Sequence, residues 1–287
     1  MKIAHIIVAS ALLLSPYAAA ANDPASSETK SSADAKGELD QAWSSAMDAA
    51  VELLKAGKRD AATAKLNEAL KLSDAFAKGD YRKAVTLTRI AENDIESEHF
   101  IDADRELQQA IDIFSKNEKD NQLYLASAYN FRGMLLMREK KFEQAVAPLE
   151  KTVSIYIKEL GIDDENLLAP LQNQAITYMM LEKNKEAADA YRRLLPIAER
   201  KSGAKTHEMA VNLKNYAYLN SLLKQNLLAE ENYKLAAAAE IEANGPKSTY
   251  LAKIYRSYSS LLTSMERASD AAMYLKMANE IAPKQNK

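Results

Sequence analysis

The sequence predicts an all-α protein made of repeated helix–turn–helix units that stack into a superhelix. Three observations carry the prediction. Glycine and proline number only seven each in 287 residues, which leaves long helices with few breaks. One alanine recurs at Ala62, Ala103, Ala145, Ala187, Ala229 and Ala271, spaced by 41, 42, 42, 42 and 42 residues. Further columns of small and large residues keep the same period. Hydrophobic residues make up 47% of the chain, enough to fill a large core.

The chain opens with the pattern of a secretory signal. Lys2 supplies the charge, Ile3 to Leu14 the short apolar run, and Ala18 to Ala21 the small residues of a cleavage site. Twelve residues are too few to span a bilayer core of about 30 Å. Residues 1–21 are therefore expected to be a signal peptide, directing the mature chain to the periplasm, with secretion as the alternative. Its loss removes Lys2 and no acid, so a net charge of −2 becomes −3. The competing reading is a short buried helix. Residues 22–37 are small, polar and aperiodic and are expected to be a disordered linker.

From residue 38 to 287 the chain repeats itself six times. Twelve residues before each recurring alanine stands a small residue: Ala50, Ala91, Gly133, Ala175, Ala217 and Ser259. Four after it stands a large one: Leu66, Leu107, Leu149, Tyr191, Tyr233 and Leu275. Seven after it are Ala69, Ala110, Thr152, Leu194, Ala236 and Ala278. Offsets of four and seven share one helical face. Small residues on two facing helices let the backbones approach, and a large residue one turn on fills the space left. One such hairpin cannot bury its face alone, so copies must stack. Gly161, Gly203 and Gly245 recur at 42 residues, where a helix end needs positive φ.

This pattern resembles the tetratricopeptide repeat, whose small and large columns it matches over residues 40–283. The period is longer than the family's usual one and is similar to that of kinesin light chains, best in NQAITYMMLEKNKEAADAYRRLL and KNYAYLNSLLKQNLLAEENYKLA. The resemblance implies a right-handed α–α superhelix, with first helices lining a concave groove that holds a peptide or partner protein. Departures are Pro148 and Pro196 inside second helices, expected to kink them, and Asp94 and Asn220 in a column that is otherwise Leu or Tyr. No extra helix follows the sixth repeat, so its last face is expected to be exposed and apolar.

Composition excludes several chemistries. With no cysteine there is no disulfide, thiol nucleophile or cysteine lipid anchor. A pI near 6.1 argues against nucleic acid or anionic lipid as partner. His207-Glu208 lacks the second histidine of a zinc motif, no serine lies in a Gly-x-Ser-x-Gly elbow, and there is no Gly-rich phosphate loop. Asp163-Asp164-Glu165 reads as helix capping, not a calcium loop. Neither catalysis, a cofactor nor a stable membrane anchor is expected.

The resemblance assigns groove positions column by column. They are Asn130, Phe131, Met134, Met137 and Arg138 in repeat three, and Gln172, Asn173, Ile176, Met179 and Met180 in repeat four. Repeat five gives Lys214, Asn215, Tyr218 and Leu222, and repeat six Lys253, Arg256 and Ser260. Asn173 and Asn215 share a column, and a ladder of carboxamides grips an extended backbone with both donor and acceptor. The methionines offer a soft apolar floor, and the cations attract a carboxylate. Against this stand ordinary readings: asparagines bonded to loops or water, methionines packed between helices, isolated surface cations. Self-association through the C-terminal repeat face is the alternative function.

Overall fold

A computed structural model describes residues 30–116 and 118–282. The expected signal peptide and Pro283 lie outside them. The described residues form twelve α-helices and one 3-10 turn, with no strand. They divide into two compact units, the first ending at Gly161 and the second beginning at Ile162.

The first unit holds α1 (Lys30–Lys55), α2 (Arg59–Ser73), α3 (Tyr81–Glu96), α4 (Phe100–Lys116), α5 (Glu118–Arg138) and α6 (Phe142–Leu160). Helix α1 begins at Lys30, so residues 30–37 are helical where a linker is expected; the rest of that linker lies outside the described residues. The second unit holds a 3-10 turn (Glu165–Leu167), α7 (Leu168–Met180), α8 (Asn184–Ser202), α9 (His207–Leu222), α10 (Asn226–Asn244), α11 (Thr249–Ser264) and α12 (Ala268–Ile281). Odd and even helices pair as hairpins. Within each unit the second helix of one hairpin packs on the first helix of the next.

Burial follows the columns read from the sequence. The recurring alanine is fully buried from Ala62 to Ala229 and 5% exposed at Ala271. At Gly133 the small column faces the large column. A Cβ added at Gly133 falls 2.5 Å from Leu149 Cδ2 and 2.6 Å from its Cγ, which states the packing rule in one contact. Leu66, Leu107, Leu149, Tyr191 and Tyr233 are all buried, but Leu275 of α12, the last helix described, is 39% exposed. Pro148 and Pro196 lie inside α6 and α8, and both helices run on through them. A proline removes one donor without ending a helix whose faces are already fixed by neighbours.

Each hairpin turn has a residue in the left-handed region at the same place, five before the recurring alanine. These are Gly57, Glu98, Lys140, Glu182, Lys224 and Glu266, with φ between 58° and 70°. The next amide reaches back five residues, as from Lys141 to the Leu136 carbonyl at 2.8 Å and from Gln225 to that of Asn220 at 2.8 Å. That bond satisfies a carbonyl the helix end would otherwise orphan. The turns between repeats use Gly161, Gly203 and Gly245 at φ 81–95° with extended ψ, a region open almost only to glycine.

Candidate functional site

In the first unit the expected groove residues are largely withdrawn from solvent. Asn130, Phe131, Met134 and Met137 are buried, Asn130 to 1% exposure. Phe131 and Met134 pack with Ile95, Leu107 and Leu135. Asn130 Nδ2 lies 3.8 Å from Met134 Sδ. Arg138 pairs with Glu96 of α3 at 3.2 Å. These side chains hold helices together, which corrects the reading of Met134 and Met137 as part of a ligand floor.

In the second unit Asn173 and Ile176 are also buried, so the two asparagines form no open ladder. Gln172, Met179 and Met180 are half-buried. Asn215 is half-buried; its Nδ2 donates to the Tyr191 hydroxyl at 3.0 Å and its Oδ1 accepts from Lys214 Nζ at 3.3 Å. Burial pushes the Tyr191 hydroxyl up to about 12, so it stays protonated and can hold that bond. Tyr218 and Leu222 of α9 are exposed, as are Lys253 and Ser260 of α11. Arg256 donates to the Ala282 carbonyl and to Asn279 Oδ1, tying down the end of α12.

Lys214 and Lys253 stand on α9 and α11, two first helices that touch. Lys214 on α9 is held below the ordinary lysine range, first by burial and then by the charge of Lys253 on α11. Among the described residues neither lysine has a carboxylate within 4.0 Å. Lys253 Nζ lies 5.7 Å from the centre of the Tyr250 ring, a weak cation–π contact. Two ammonium groups that feel each other's charge and lack a counter-ion attract a carboxylate, and partial burial strengthens the attraction. Asn215 and Tyr218 on the same helix add a carboxamide and an exposed aromatic ring.

His207 serves the scaffold. Glu240, a fully buried carboxylate, meets His207 Nδ1 at 2.6 Å and accepts from Asn244 Nδ2 at 3.1 Å and from the Ser248 hydroxyl. Burial raises the Glu240 pKa, but these donors outweigh it and hold the group below the usual carboxylate range. The node joins the start of α9 to the end of α10 and the turn into α11. Asp164 accepts from the Asn166 amide at 2.9 Å, the capping role expected of the acidic turn. Among the described residues no three His, Cys, Asp or Glu side chains gather to hold a metal. No described helix is long and apolar enough to cross a membrane.

The sequence reading missed two features. Glu106 and Asp94 form a carboxyl pair across the α3–α4 hairpin, visible beforehand only as Asp94 breaking an apolar column. An apolar cleft between α8 and α10 also went unread; its one signal was Pro196 and Ala238 recurring in a single column.

Stacked hairpins with fixed small and large columns define an α-solenoid repeat protein. Residues 124–200 match the tetratricopeptide repeat family model. Similar solved structures include the kinesin light chain nearly identical TPR-like repeats of P. anserina, at 16% identity over 73% of this chain and 98% of that one, with a TM-score of 0.60. PilF of Pseudomonas aeruginosa is 16% identical over 86% of this chain and 95% of its own, with a TM-score of 0.62. YrrB, described as a TPR protein with an unusual peptide-binding site, is 14% identical over 77% and 93%, with a TM-score of 0.58. No curated protein matches the chain. Family match and fold agree: residues 124–200 carry a tetratricopeptide-repeat match, and the described residues share the fold of such repeat proteins.

Proposed function

We propose that the chain is an exported interaction module that captures a protein or extended peptide on the first-helix face of its second unit. An acidic side chain or C-terminal carboxylate of the partner docks between Lys214 and Lys253. The observation that carries this reading is that Lys214 and Lys253, on the touching helices α9 and α11, have no carboxylate within 4.0 Å among the described residues. Asn215 and Tyr218 flank them and supply polar and aromatic contacts to the rest of the segment. YrrB, which has a similar fold, is described as having a peptide-binding site, and this supports the reading. Export is the part of the reading that rests on residues 1–21 alone.

The test is affinity capture from periplasmic extract with the mature chain and with Lys214→Ala/Lys253→Ala. The wild type should retain a partner that the double variant loses, with helix content unchanged by circular dichroism. Equal capture by both proteins rejects the site. Recovery of the chain with residues 1–21 still attached rejects export by a cleaved signal.

A second reading has one observation in its favour. Met273 and Leu275 on α12 are 49% and 39% exposed, where Tyr191 and Tyr233 are buried at Leu275's column. Self-association would cover them. Light scattering over a concentration series decides: a monomer throughout removes this reading.

A further inference from the structure

The second-helix side of the second unit carries a cleft that the lysine pair does not touch. It has a volume of about 720 Å³ and opens between α8 and α10. Leu195 and Pro196 form one wall, Leu235, Ala238 and Ile241 the other, and Met209 of α9 lies beneath. Its origin is local. Pro196 and Ala238 both stand nine residues after a recurring alanine, and neither carries a long chain to fill the gap between the helices. Leu235 and Ile241 stay 49% and 37% exposed beside it. Helix α10 also exposes Leu227 to 81%, so its outer face offers apolar surface where a solvated helix normally turns polar groups.

The walls decide what kind of occupant fits. Both are helices whose backbone amides and carbonyls are already bonded within the helix. An extended strand laid there would find no partners for its own backbone, whereas a helix arrives with its backbone satisfied. Leu235 and Ile241 are six residues apart, or about 9 Å along the axis at about 1.5 Å per residue, a little under two turns of a helical ligand. The rim decides the charge. Glu199 and Glu242 both border the cleft. Lys205 pairs with Glu242 at 3.4 Å, while Glu199 has no ion pair among the described residues. The uncompensated charge at the rim is negative.

We propose that the α8–α10 cleft docks an amphipathic helix of a partner protein. Apolar side chains at i, i+3 or i+4 and i+7 enter the cleft, and a Lys or Arg at the helix end meets Glu199. The site is independent of the lysine pair.

Two fluorescein-labelled 14-residue peptides test this on the full mature chain by polarisation. Both carry leucines at i, i+3, i+4 and i+7; one ends in lysines and the other in glutamates. The basic-ended peptide should bind saturably and at least tenfold more tightly than the acidic-ended one. Ala238→Arg, a change on an exposed helix position, should weaken it at least tenfold. Glu199→Lys should reverse the preference. Lys214→Ala/Lys253→Ala should leave it unchanged, which separates this proposal from the capture site. No saturable binding, equal binding by Ala238→Arg, or no change of preference in Glu199→Lys overturns the proposal. A dimer in sedimentation that Ala238→Arg dissolves also overturns it, because the occupant is then a second copy.

Discussion

Replacing Gly133 with alanine sets two forces against each other at one contact. In an exposed helix the change would stabilise by about 1 kcal/mol, because alanine loses less backbone freedom on folding. Here the new Cβ falls 2.5 Å from Leu149 Cδ2 and 2.6 Å from Cγ, and Leu149 is fully buried with no room to turn away. Overpacking of this kind costs about 1–3 kcal/mol. The net effect should therefore run from neutral to about 2 kcal/mol destabilising. Leu149→Ala alone should cost about 2–5 kcal/mol through its cavity. In that background Gly133→Ala no longer meets a side chain and should stabilise, so the pair should be non-additive by about 1–3 kcal/mol. Trp43 makes the assay specific. It is the single tryptophan, it is 6% exposed, and its Nε1 donates to Thr86 Oγ1 at 2.9 Å within the first unit. Its fluorescence in urea follows the unfolding of the unit that contains both residues. A gain of about 1 kcal/mol from Gly133→Ala in the wild type, additive with Leu149→Ala, would refute the packing rule.

Two further perturbations use the same fluorescence. Lys140 holds φ at 62° in the α5–α6 turn, so Lys140→Gly should stabilise the first unit by about 0.5–1 kcal/mol, while Gly57→Ala at φ 70° in the equivalent turn should destabilise it by about 1 kcal/mol. The opposite pair of signs would show that these turns are not left-handed. Glu106 is pushed up from 4.5 to about 8, chiefly by burial and then by Asp94, with Asp102 adding and Arg105 opposing. His99 Nδ1 lies 3.5 Å from Asp94 Oδ1. The folded chain thus holds a proton that the unfolded chain releases above 4.5, so this contribution to stability is complete below 4.5 and lost as pH rises to about 8. Glu106→Gln should flatten the pH dependence in that window and stabilise the unit at pH 8. A profile unchanged by Glu106→Gln would show that the pair does not share a proton.

The scaffold was legible because its columns repeat. A backbone approach demands a small residue wherever two helices cross, so the requirement returns with the period, and Ala62 through Ala271 record it. The left-handed turns were legible only at Gly57. At Glu98, Lys140, Glu182, Lys224 and Glu266 the hairpin imposes the conformation on residues that carry no signal for it. The site was only partly legible. Family columns place Asn130, Met134, Asn173 and Ile176 on a groove wall, yet the face each residue turns to solvent depends on how neighbouring helices cover it. Coverage is a property of packing that no single column encodes. Lys253 reaches solvent while Lys214 is half-buried, the range that long cationic side chains span from a partly covered backbone.

The most direct test of the capture site is the titration of Lys214, followed by NMR after ¹³C-methylation of the lysines. Burial and Lys253 should make it titrate below the other lysines, and Lys253→Ala should return it part of the way. Adding the captured partner should raise it, because a docked carboxylate favours the charged form. A Lys214 that titrates with the bulk lysines and ignores both the variant and the partner would contradict the account.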